Sequence, residues 1–328
     1  MSKKGQEPMG PEKINLSTLA KYFSDEEEAY KVVESWRWPS GPVCPHCGCI
    51  DHAYKLTNQR TKSGKVSPRR MWKCADCRKV FTVTVGSIFE DSHIPLSKWL
   101  QGVFLICTGK NGISAHELHR SLGITLKAAW FMAHRIRHAM VDSDDAMLQG
   151  IVEADETYIG GKVRGQGKGR GAYEQNKTPV VTLIQRGGRA KSMAVPNIDG
   201  ANLAQALRDN IAPNAFLMTD QNPGYRKIGR EFAGHSTVDH NCDEYVRGKG
   251  PGAAHVNTAE SFFGQLKRSI DGTHHHVSRQ HLHRYLAEFD LRYNTRDVTD
   301  GERMVKTFRQ AAGRRLTYRQ PTRKAEAV

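Results

Sequence analysis

Residues 151–155 read Ile-Val-Glu-Ala-Asp, a short run of β-forming residues that ends on a carboxylate. A second run of this kind, residues 215–220, reads Ala-Phe-Leu-Met-Thr-Asp. Neighbouring strands bring the residues at their ends to one edge of a sheet. The sequence therefore predicts that Asp155 and Asp220 lie close together in an α/β domain.

The pattern around these two runs consists of strands followed by helices. Further strands are predicted at 180–185, 190–198 and 236–239, and helices at 201–210, 256–270 and 279–294. We place this α/β domain at 146–300. A glycine-rich basic loop at 160–171 interrupts the first two strands.

A third acid, Glu260, lies 40 residues after Asp220 on the first of the two closing helices. Apolar residues recur along that helix at the spacing of one buried face, and this leaves Glu260 and Lys267 on a neighbouring line. Glu260 can therefore face the strands that carry the two aspartates.

Three carboxylates placed together repel one another and retain protons unless a cation compensates for their charge. Oxygen ligands without histidine favour Mg²⁺ or Mn²⁺. Two such ions about 3.5 to 4 Å apart activate an attacking oxygen and stabilise a leaving 3′-oxygen. The predicted chemistry is in-line displacement at phosphorus, by water or by a 3′-hydroxyl.

Spacing alone does not single out these three acids, because Asp and Glu are common and most are solvated at the surface. Glu153, Glu156, Asp239 and Asp243 remain as alternatives. Asp239 is the competitor for the middle position. We prefer Asp220 there because it ends the more apolar strand.

The segment 41–90 contains two Cys-x-x-Cys pairs, Cys44/Cys47 and Cys74/Cys77, with 26 residues between them. Each pair can present two thiolates to one tetrahedral Zn²⁺. We predict a zinc ribbon with a structural Zn²⁺, in preference to four unliganded thiols. Cys49 lies beside the first pair but breaks its spacing, so it is predicted not to be a ligand.

Helical segments are predicted before and after this ribbon. Residues 1–40 form an N-terminal helical segment, in which Ser24 begins a capping box. Residues 94–145 read as a helix-turn-helix-like region whose basic residues, Lys127 and Arg135 among them, could contact DNA. The alternative for that region is an ordinary helical hairpin with a solvated basic face. Residues 301–328 are predicted to form a basic tail.

The overall charge favours a polyanionic partner. The chain has 328 residues, 49 Lys and Arg against 34 Asp and Glu, and a formal net charge of +15. Nucleic acid is the expected partner, whereas a membrane is disfavoured because the longest apolar run, Trp99 to Cys107, is too short to cross one. The N-terminus has no secretory signal, and a cytoplasmic location is expected.

Two long blocks resemble a known family. Val-Glu-Ala-Asp-Glu-Thr-Tyr-Ile-Gly-Gly-Lys (152–162) is similar to the first catalytic block of Merlin/ISXO-like insertion-sequence transposases. His-Val-Asn-Thr-Ala-Glu-Ser-Phe-Phe-Gly-Gln-Leu-Lys-Arg (255–268) resembles their third catalytic region, and residues 36–48 resemble their ribbon entry. The resemblance covers roughly residues 20–296.

The resemblance implies a ribonuclease H-like catalytic domain in which Asp155, Asp220 and Glu260 take the DDE roles with magnesium. It also implies that the substrate is the terminal inverted repeats of a mobile element, and that at least a homodimer pairs the two ends. Some relatives carry Asn in the third role, so Asn257 is the alternative to Glu260.

The sequence therefore predicts a DNA transposase that cleaves DNA and transfers strands to target DNA. Further candidate phosphate contacts lie in the glycine-rich loop and after Glu260, namely Lys162, Arg164, Lys168, Arg170, Lys267 and Arg268. The alternatives are a zinc-ribbon DNA-binding regulator without catalysis and a nuclease that hydrolyses but never joins.

Overall fold

The computed structural model describes residues 10–57, 60, 64, 66, 67, 69–160, 177–239, 242 and 244–318. These residues fall into two units. Unit 1 contains residues of Met1–Met140 and Asp297–Arg323, and unit 2 contains Val141–Arg296. In the part of the chain that is described, no helix is both long and apolar enough to cross a membrane.

The helices, in chain order, are α1 (Leu16–Ser24), α2 (Glu26–Arg37), α3 (Leu96–Thr108), α4 (Ala115–Leu122), α5 (Leu126–Ala139), α6 (Gly200–Asn210), α7 (Tyr225–Ile228), α8 (Asn257–Ser269), α9 (Leu282–Asn294) and α10 (Asp300–Gln310). Short 3₁₀ turns occur at Pro11–Lys13, Gly229–Glu231 and Arg279–His281, and a π-helical turn occurs at Ile270–His274. The strands are β1 (Ala53–Leu56), β2 (Met71–Cys74), β3 (Val80–Phe81), β4 (Ile151–Ile159), β5 (Thr178–Gln185), β6 (Ala190–Ala194), β7 (Phe216–Thr219) and β8 (Gly234–Thr237).

In unit 1, β1, β2 and β3 form an antiparallel sheet, with one cysteine pair before β1 and the other at the end of β2 and in the turn after it. The β-forming run 80–85 contributes only Val80–Phe81 to the sheet, because the chain turns at 83–86. Several helices of unit 1 begin or end at a polar or glycine residue. Thr125 accepts a hydrogen bond from the Ala128 amide at the start of α5, and Gly123 ends α4 with φ of +58°.

Two features of the helices in unit 1 differ from the sequence prediction. The N-cap of α2 is Asp25, which accepts hydrogen bonds from Glu27 and Glu28, whereas Ser24 is the last residue of α1. The second feature is α10, which lies where a basic tail was predicted from residue 301. Residues 319–328 of that predicted tail lie outside the described residues.

The helix α10 forms because its apolar residues recur at helical spacing and become buried. Met304, Val305 and Phe308 are each 2% exposed or less. The ring of Phe308 stacks on Phe89 with centroids 5.2 Å apart, and the Arg303 guanidinium donates to the Cys107 carbonyl at 3.0 Å. These contacts make α10 part of the core of unit 1.

Unit 2 is built on a mixed sheet with the strand order β6-β5-β4-β7-β8. The pairs β4–β5 and β5–β6 are antiparallel, whereas β4–β7 and β7–β8 are parallel. The strands and helices predicted from the sequence in this region are confirmed, with ends that shift by a few residues.

Alternate residues of each strand in unit 2 face opposite sides of the sheet. On one side, Ala154 and Leu183 pack with Leu203 of α6. On the other side, Ile159 and Val180 pack with apolar residues of α8 and α9. Glu153, Asp155 and Thr157 share the side of Ile159, so this strand directs them toward α8 and α9.

In unit 1, a buried acid joins α2 to the zinc-ribbon sheet. Glu34 is 7% exposed and accepts hydrogen bonds from Arg70 Nε at 2.6 Å and from Trp72 Nε1 at 2.9 Å. Burial raises the pKa of Glu34, and the hydrogen bonds from Trp72 and Arg70 oppose that shift. Removal of one partner would leave the other without its counterpart away from water, which is costly.

We expect Glu34→Ala to destabilise unit 1 by about 2 to 3 kcal/mol, because it removes the shared acceptor of the half-buried Arg70 and Trp72 side chains. All five tryptophans lie in unit 1, so tryptophan fluorescence during denaturant unfolding reports on this unit. The matched control is Glu28→Ala, which removes an ion pair with Lys31 whose side chains are 45% and 40% exposed. That change should cost less than about 1 kcal/mol. Equal effects of the two substitutions would contradict this account.

Candidate active site

The sheet of unit 2 places Asp155 and Asp220 beside each other. In the parallel pair β4–β7, Glu153 is opposite Met218. The next positions on the same face, two residues further along each strand, are Asp155 and Asp220. Both aspartates therefore lie on the face that α8 covers, Asp155 in the middle of β4 and Asp220 directly after the carboxyl end of β7.

The charges of the three acids act on one another. The pKa of Asp155 is raised to about 7, mostly by burial and in smaller part by the charges of Glu156, Asp220 and Glu260, against a hydrogen bond from the Glu156 amide that lowers it. Glu260 lies in the first turn of α8, on the exposed side of a helix that buries Ala259, Phe262 and Phe263. The structure thus brings together the three acids that the sequence analysis selected.

The three carboxylates are near enough for their charges to act on Asp155, but they do not all have an oxygen within 4.8 Å of the other two. Among the described residues, the groups with all ligand atoms within 4.8 Å of one another consist of cysteines, or of cysteines with Asp76. A looser arrangement is expected for carboxylates that repel one another. It also suits two ions about 3.5 to 4 Å apart, because ligands at opposite ends of such a pair need not touch. The all-oxygen donor set fits Mg²⁺ or Mn²⁺.

Asp220 is held by residues that the sequence analysis did not identify. Its Oδ1 accepts a hydrogen bond from the Asn222 amide at 2.9 Å. The Asn222 side chain donates to Glu156 Oε1, and the hydroxyl of the fully buried Tyr225 donates to Glu156 Oε2. Glu156 thereby supports the turn after β7. Its position next to Asp155 places it on the opposite face of the sheet.

The other alternative acids have different surroundings. Glu153 is fully buried and accepts hydrogen bonds from Arg186 and from the start of α8. Asp239 follows β8, on the far side of β7 from β4, and its amide donates to Glu244 at 3.2 Å. Asp243 lies outside the described residues. Asn257, the alternative for the third position, is exposed in the same turn as Glu260.

The predicted DNA contacts divide into three groups. Lys127, Lys267 and Arg268 are exposed, and the latter two follow Glu260 on α8. Arg135 is not on the surface. The residues of the glycine-rich loop lie outside the described residues, namely Lys162, Arg164, Lys168 and Arg170.

Arg135 is 4% exposed, and its guanidinium lies 5.4 Å from the ring centroid of Trp99 and 5.3 Å from that of Phe131. It also donates to the Glu90 carbonyl, and burial lowers its pKa to about 10. Its place on α5 turns it toward the interior of unit 1, which spacing alone did not reveal. Arg135 is therefore withdrawn from the candidate DNA contacts.

The four predicted zinc ligands come together in the ribbon. Cys44, Cys47, Cys74 and Cys77 form a group with all sulfur atoms within 4.8 Å of one another. The Cys44–Cys77 and Cys47–Cys74 sulfur distances are both 3.6 Å. Two knuckles that present four thiolates in this way fit one tetrahedral Zn²⁺.

Cys49 lies closer to this group than its spacing suggested. Its sulfur is 3.2 Å from that of Cys74, and Cys47, Cys49, Cys74 and Asp76 form a second group of possible ligands. The two groups share Cys47 and Cys74. They differ in their other two ligands, which are Cys44 and Cys77 in the first group and Cys49 and Asp76 in the second.

Comparison with known proteins finds a matching domain in each of the two units. Residues 147–294 match the ISXO2-like transposase domain, and residues 24–80 match the transposase zinc-ribbon domain. Together the two matches cover more than half of the chain. The chain belongs to the ISXO2-like transposases.

A relative of this transposase comes from Halobacterium salinarum, where it is described as an uncharacterized protein in transposable element ISH50. The two chains are 27% identical over 308 residues, which cover 89% of this chain and 98% of the relative. The similarity therefore extends over both units.

The two groups of possible zinc ligands predict different metal contents. If Zn²⁺ is bound by Cys44, Cys47, Cys74 and Cys77, we expect Cys44→Ser to lose the metal and Cys49→Ser to keep one ion per chain. Mass spectrometry of the purified proteins measures the zinc content directly. Cys242→Ser, an exposed cysteine of unit 2, is the control. Loss of zinc from Cys49→Ser alone would instead identify the group with Asp76.

The raised pKa of Asp155 predicts how Asp155→Asn changes stability with pH. Below about pH 4 the carboxyl is protonated in both the folded and the unfolded chain. As pH rises to about 7, the unfolded chain releases this proton first, so the folded state becomes less stable. Asn avoids this cost and still accepts from the Glu156 amide.

Without added divalent cations, we therefore expect Asp155→Asn to stabilise unit 2 increasingly from pH 4 to 7, up to about 4 kcal/mol at about 1.4 kcal/mol per pKa unit. Calorimetric unfolding between pH 4 and 8 measures this gain. The control is Asp199→Asn, because Asn can also cap α6 at that position. A stability gain for Asp155→Asn that does not depend on pH would refute the account.

Proposed function

We propose that this transposase cleaves DNA at the terminal inverted repeats of its element and joins the freed ends to target DNA. The observation that carries the proposal is the convergence of Asp155, Asp220 and Glu260 on one face of the sheet, close enough for the charges of Asp220 and Glu260 to contribute, after burial, to the raised pKa of Asp155. We also propose that unit 2 is a ribonuclease H-like domain, as its mixed sheet with Asp155 in the middle of β4 and Asp220 directly after β7 supports.

In this proposal the three carboxylates hold two Mg²⁺ ions. When bound, the ions activate the attacking oxygen and stabilise the leaving 3′-oxygen. The strands fix Asp155 and Asp220 side by side, and α8 brings Glu260 from the other direction. Asn222 orients Asp220 through its amide hydrogen bond of 2.9 Å. The scaffold thus sets the positions of the ligands before DNA arrives, as catalysis requires.

Exposed cations on the two units are the proposed DNA contacts. On α8, Lys267 and Arg268 are exposed seven and eight residues after Glu260, where they can bind phosphates of the same DNA. In the ribbon, Arg78 and Lys79 are exposed directly after the second cysteine pair. Lys127 is exposed at the start of α5, the second helix of the proposed helix-turn-helix.

We expect Asp155→Asn, Asp220→Asn and Glu260→Gln each to reduce magnesium-dependent cleavage at least about a thousandfold. The loss of one ligand removes several kcal/mol of stabilisation of the transition state, and each 1.4 kcal/mol is worth about tenfold in rate. The assay uses a labelled duplex that ends in the inverted repeat, a target plasmid, and gel analysis of cut and joined products. DNA binding by these variants, measured by gel shift, should remain within about twofold of wild type, because the fold is intact.

The matched control is Asp239→Asn, which removes the competing acid for the middle position and should cleave normally. Full cleavage by Asp155→Asn would leave a DNA-binding regulator as the remaining function. Cleaved products without joined products from the wild type would indicate a nuclease. Loss of activity in Asp239→Asn but not in Asp220→Asn would move the second acid to β8.

A further inference from the structure

We infer that Glu153 is a positioning residue for the active site, because it fixes the helix that carries Glu260 onto the strand that carries Asp155. The inference rests on the proposed function, since it concerns the geometry of the proposed magnesium ligands. It adds a fourth acid that acts on them through the helix α8 and through Arg186.

The start of α8 is capped from another element. Val256 occupies the N-cap position and has no polar side chain that could accept a hydrogen bond. Glu153 of β4 supplies the acceptor instead. Its Oε2 accepts from the Thr258 amide at 2.9 Å and from the Ala259 amide at 3.3 Å, and its Oε1 accepts from the Thr258 hydroxyl at 3.0 Å.

The location of Glu153 gives this cap its importance. Glu153 is fully buried and precedes Asp155 by two residues on the same face of β4. Glu260 lies one residue after Ala259, in the turn that Glu153 caps. A carboxylate at a helix N-terminus is also favoured by the helix dipole. One buried side chain therefore connects the first acid of the proposed site to the third.

Arg186 extends the same connection to the segment before α8. Its Nε donates to Glu153 Oε1 at 2.7 Å. The rest of its guanidinium donates to the carbonyls of Pro251, Ala253 and His255 at 2.7 to 3.0 Å. This arginine neutralises the buried carboxylate and holds the chain that enters α8.

A merely structural ion pair would stabilise unit 2 without affecting the metal ligands in particular. A positioning residue makes two further predictions. The capped turn should become more mobile when Glu153 loses its charge. The affinity of the site for a divalent cation should fall, and this loss should depend on Glu260. Both can be measured without DNA and without turnover.

The test compares Glu153→Gln with Glu288→Gln in the zinc-loaded protein. Glu288 is also fully buried and is bonded to an arginine, Arg292, at 2.8 Å, but it lies on α9. In Glu153→Gln we expect hydrogen exchange at the Thr258 and Ala259 amides to become roughly fivefold to tenfold faster without added metal. Exchange of these amides in Glu288→Gln should match the wild type.

Titration calorimetry with Mn²⁺ provides the second measurement. We expect Glu153→Gln to bind Mn²⁺ about tenfold more weakly than wild type, as for other residues that orient metal ligands, and Glu288→Gln to bind it normally. In a Glu260→Gln background, Glu153→Gln should cause no further loss, because its effect passes through Glu260. An equal loss in both backgrounds, or an equal effect of Glu288→Gln, would overturn the inference.

Asp155→Asn separates this inference from the proposed function. If Asp155→Asn binds Mn²⁺ as the wild type does and still cleaves DNA, the proposed site itself is refuted. If Asp155→Asn loses both properties while Glu153→Gln retains normal affinity and normal exchange, only the positioning role is refuted.

Discussion

Electrostatic repulsion among three carboxylates is the constraint around which unit 2 is organised. Asp155, Asp220 and Glu260 lie close enough for the charges of the other two to raise the pKa of Asp155, which burial has already raised. Such a cluster opposes folding unless a scaffold holds it together. The ladder between β4 and β7 and the packing of α8 on the sheet provide that scaffold.

Neighbouring acids on the strand β4 have different roles. Glu153 and Asp155 face α8, whereas Glu156 faces the side of Asn222 and Tyr225. Glu153 is bonded to the start of the helix that carries Glu260, and Glu156 is bonded to the turn that carries Asp220. The strand therefore contributes one proposed ligand and supports the other two. This arrangement follows from the alternation of side chains along a strand, since three acids within four residues can reach both faces.

The sequence was sufficient for features that depend on local periodicity or on fixed spacing. The strand that carries Asp155, the strand before Asp220 and the helix of Glu260 all have strong apolar patterns, and the structure confirms these elements, although the first strand continues past Asp155 to Ile159. The cysteine pairs were identified because a zinc knuckle requires an invariant short spacing. A charged side chain is harder to place. Arg135 was predicted to contact DNA because helical spacing alone does not show that the rings of Trp99 and Phe131 cover it.

Features that depend on long-range contacts were also missed. The cap of α8 comes from Glu153, more than 100 residues earlier in the chain, and neither the capping-box pattern nor the residues near Val256 indicate it. The position of α10 is a similar case. Its apolar residues are few, but they complete a core with Phe89 and Trp36 that is distant in sequence.

The position of α10 in the sequence determines what a truncated chain can show about DNA binding. The chain leaves unit 1 after Met140 and returns to it at Asp297, so the unit with the three acids is inserted between α5 and α10. Because Phe308 and Arg303 contribute to the core of unit 1, the zinc-ribbon unit depends on residues that follow the acidic unit in sequence. Substitutions that remove the charge of Asp155, Asp220 or Glu260 do not affect these contacts. Truncation after Arg296 removes them, so loss of DNA binding in a truncated chain would not show that unit 2 binds DNA.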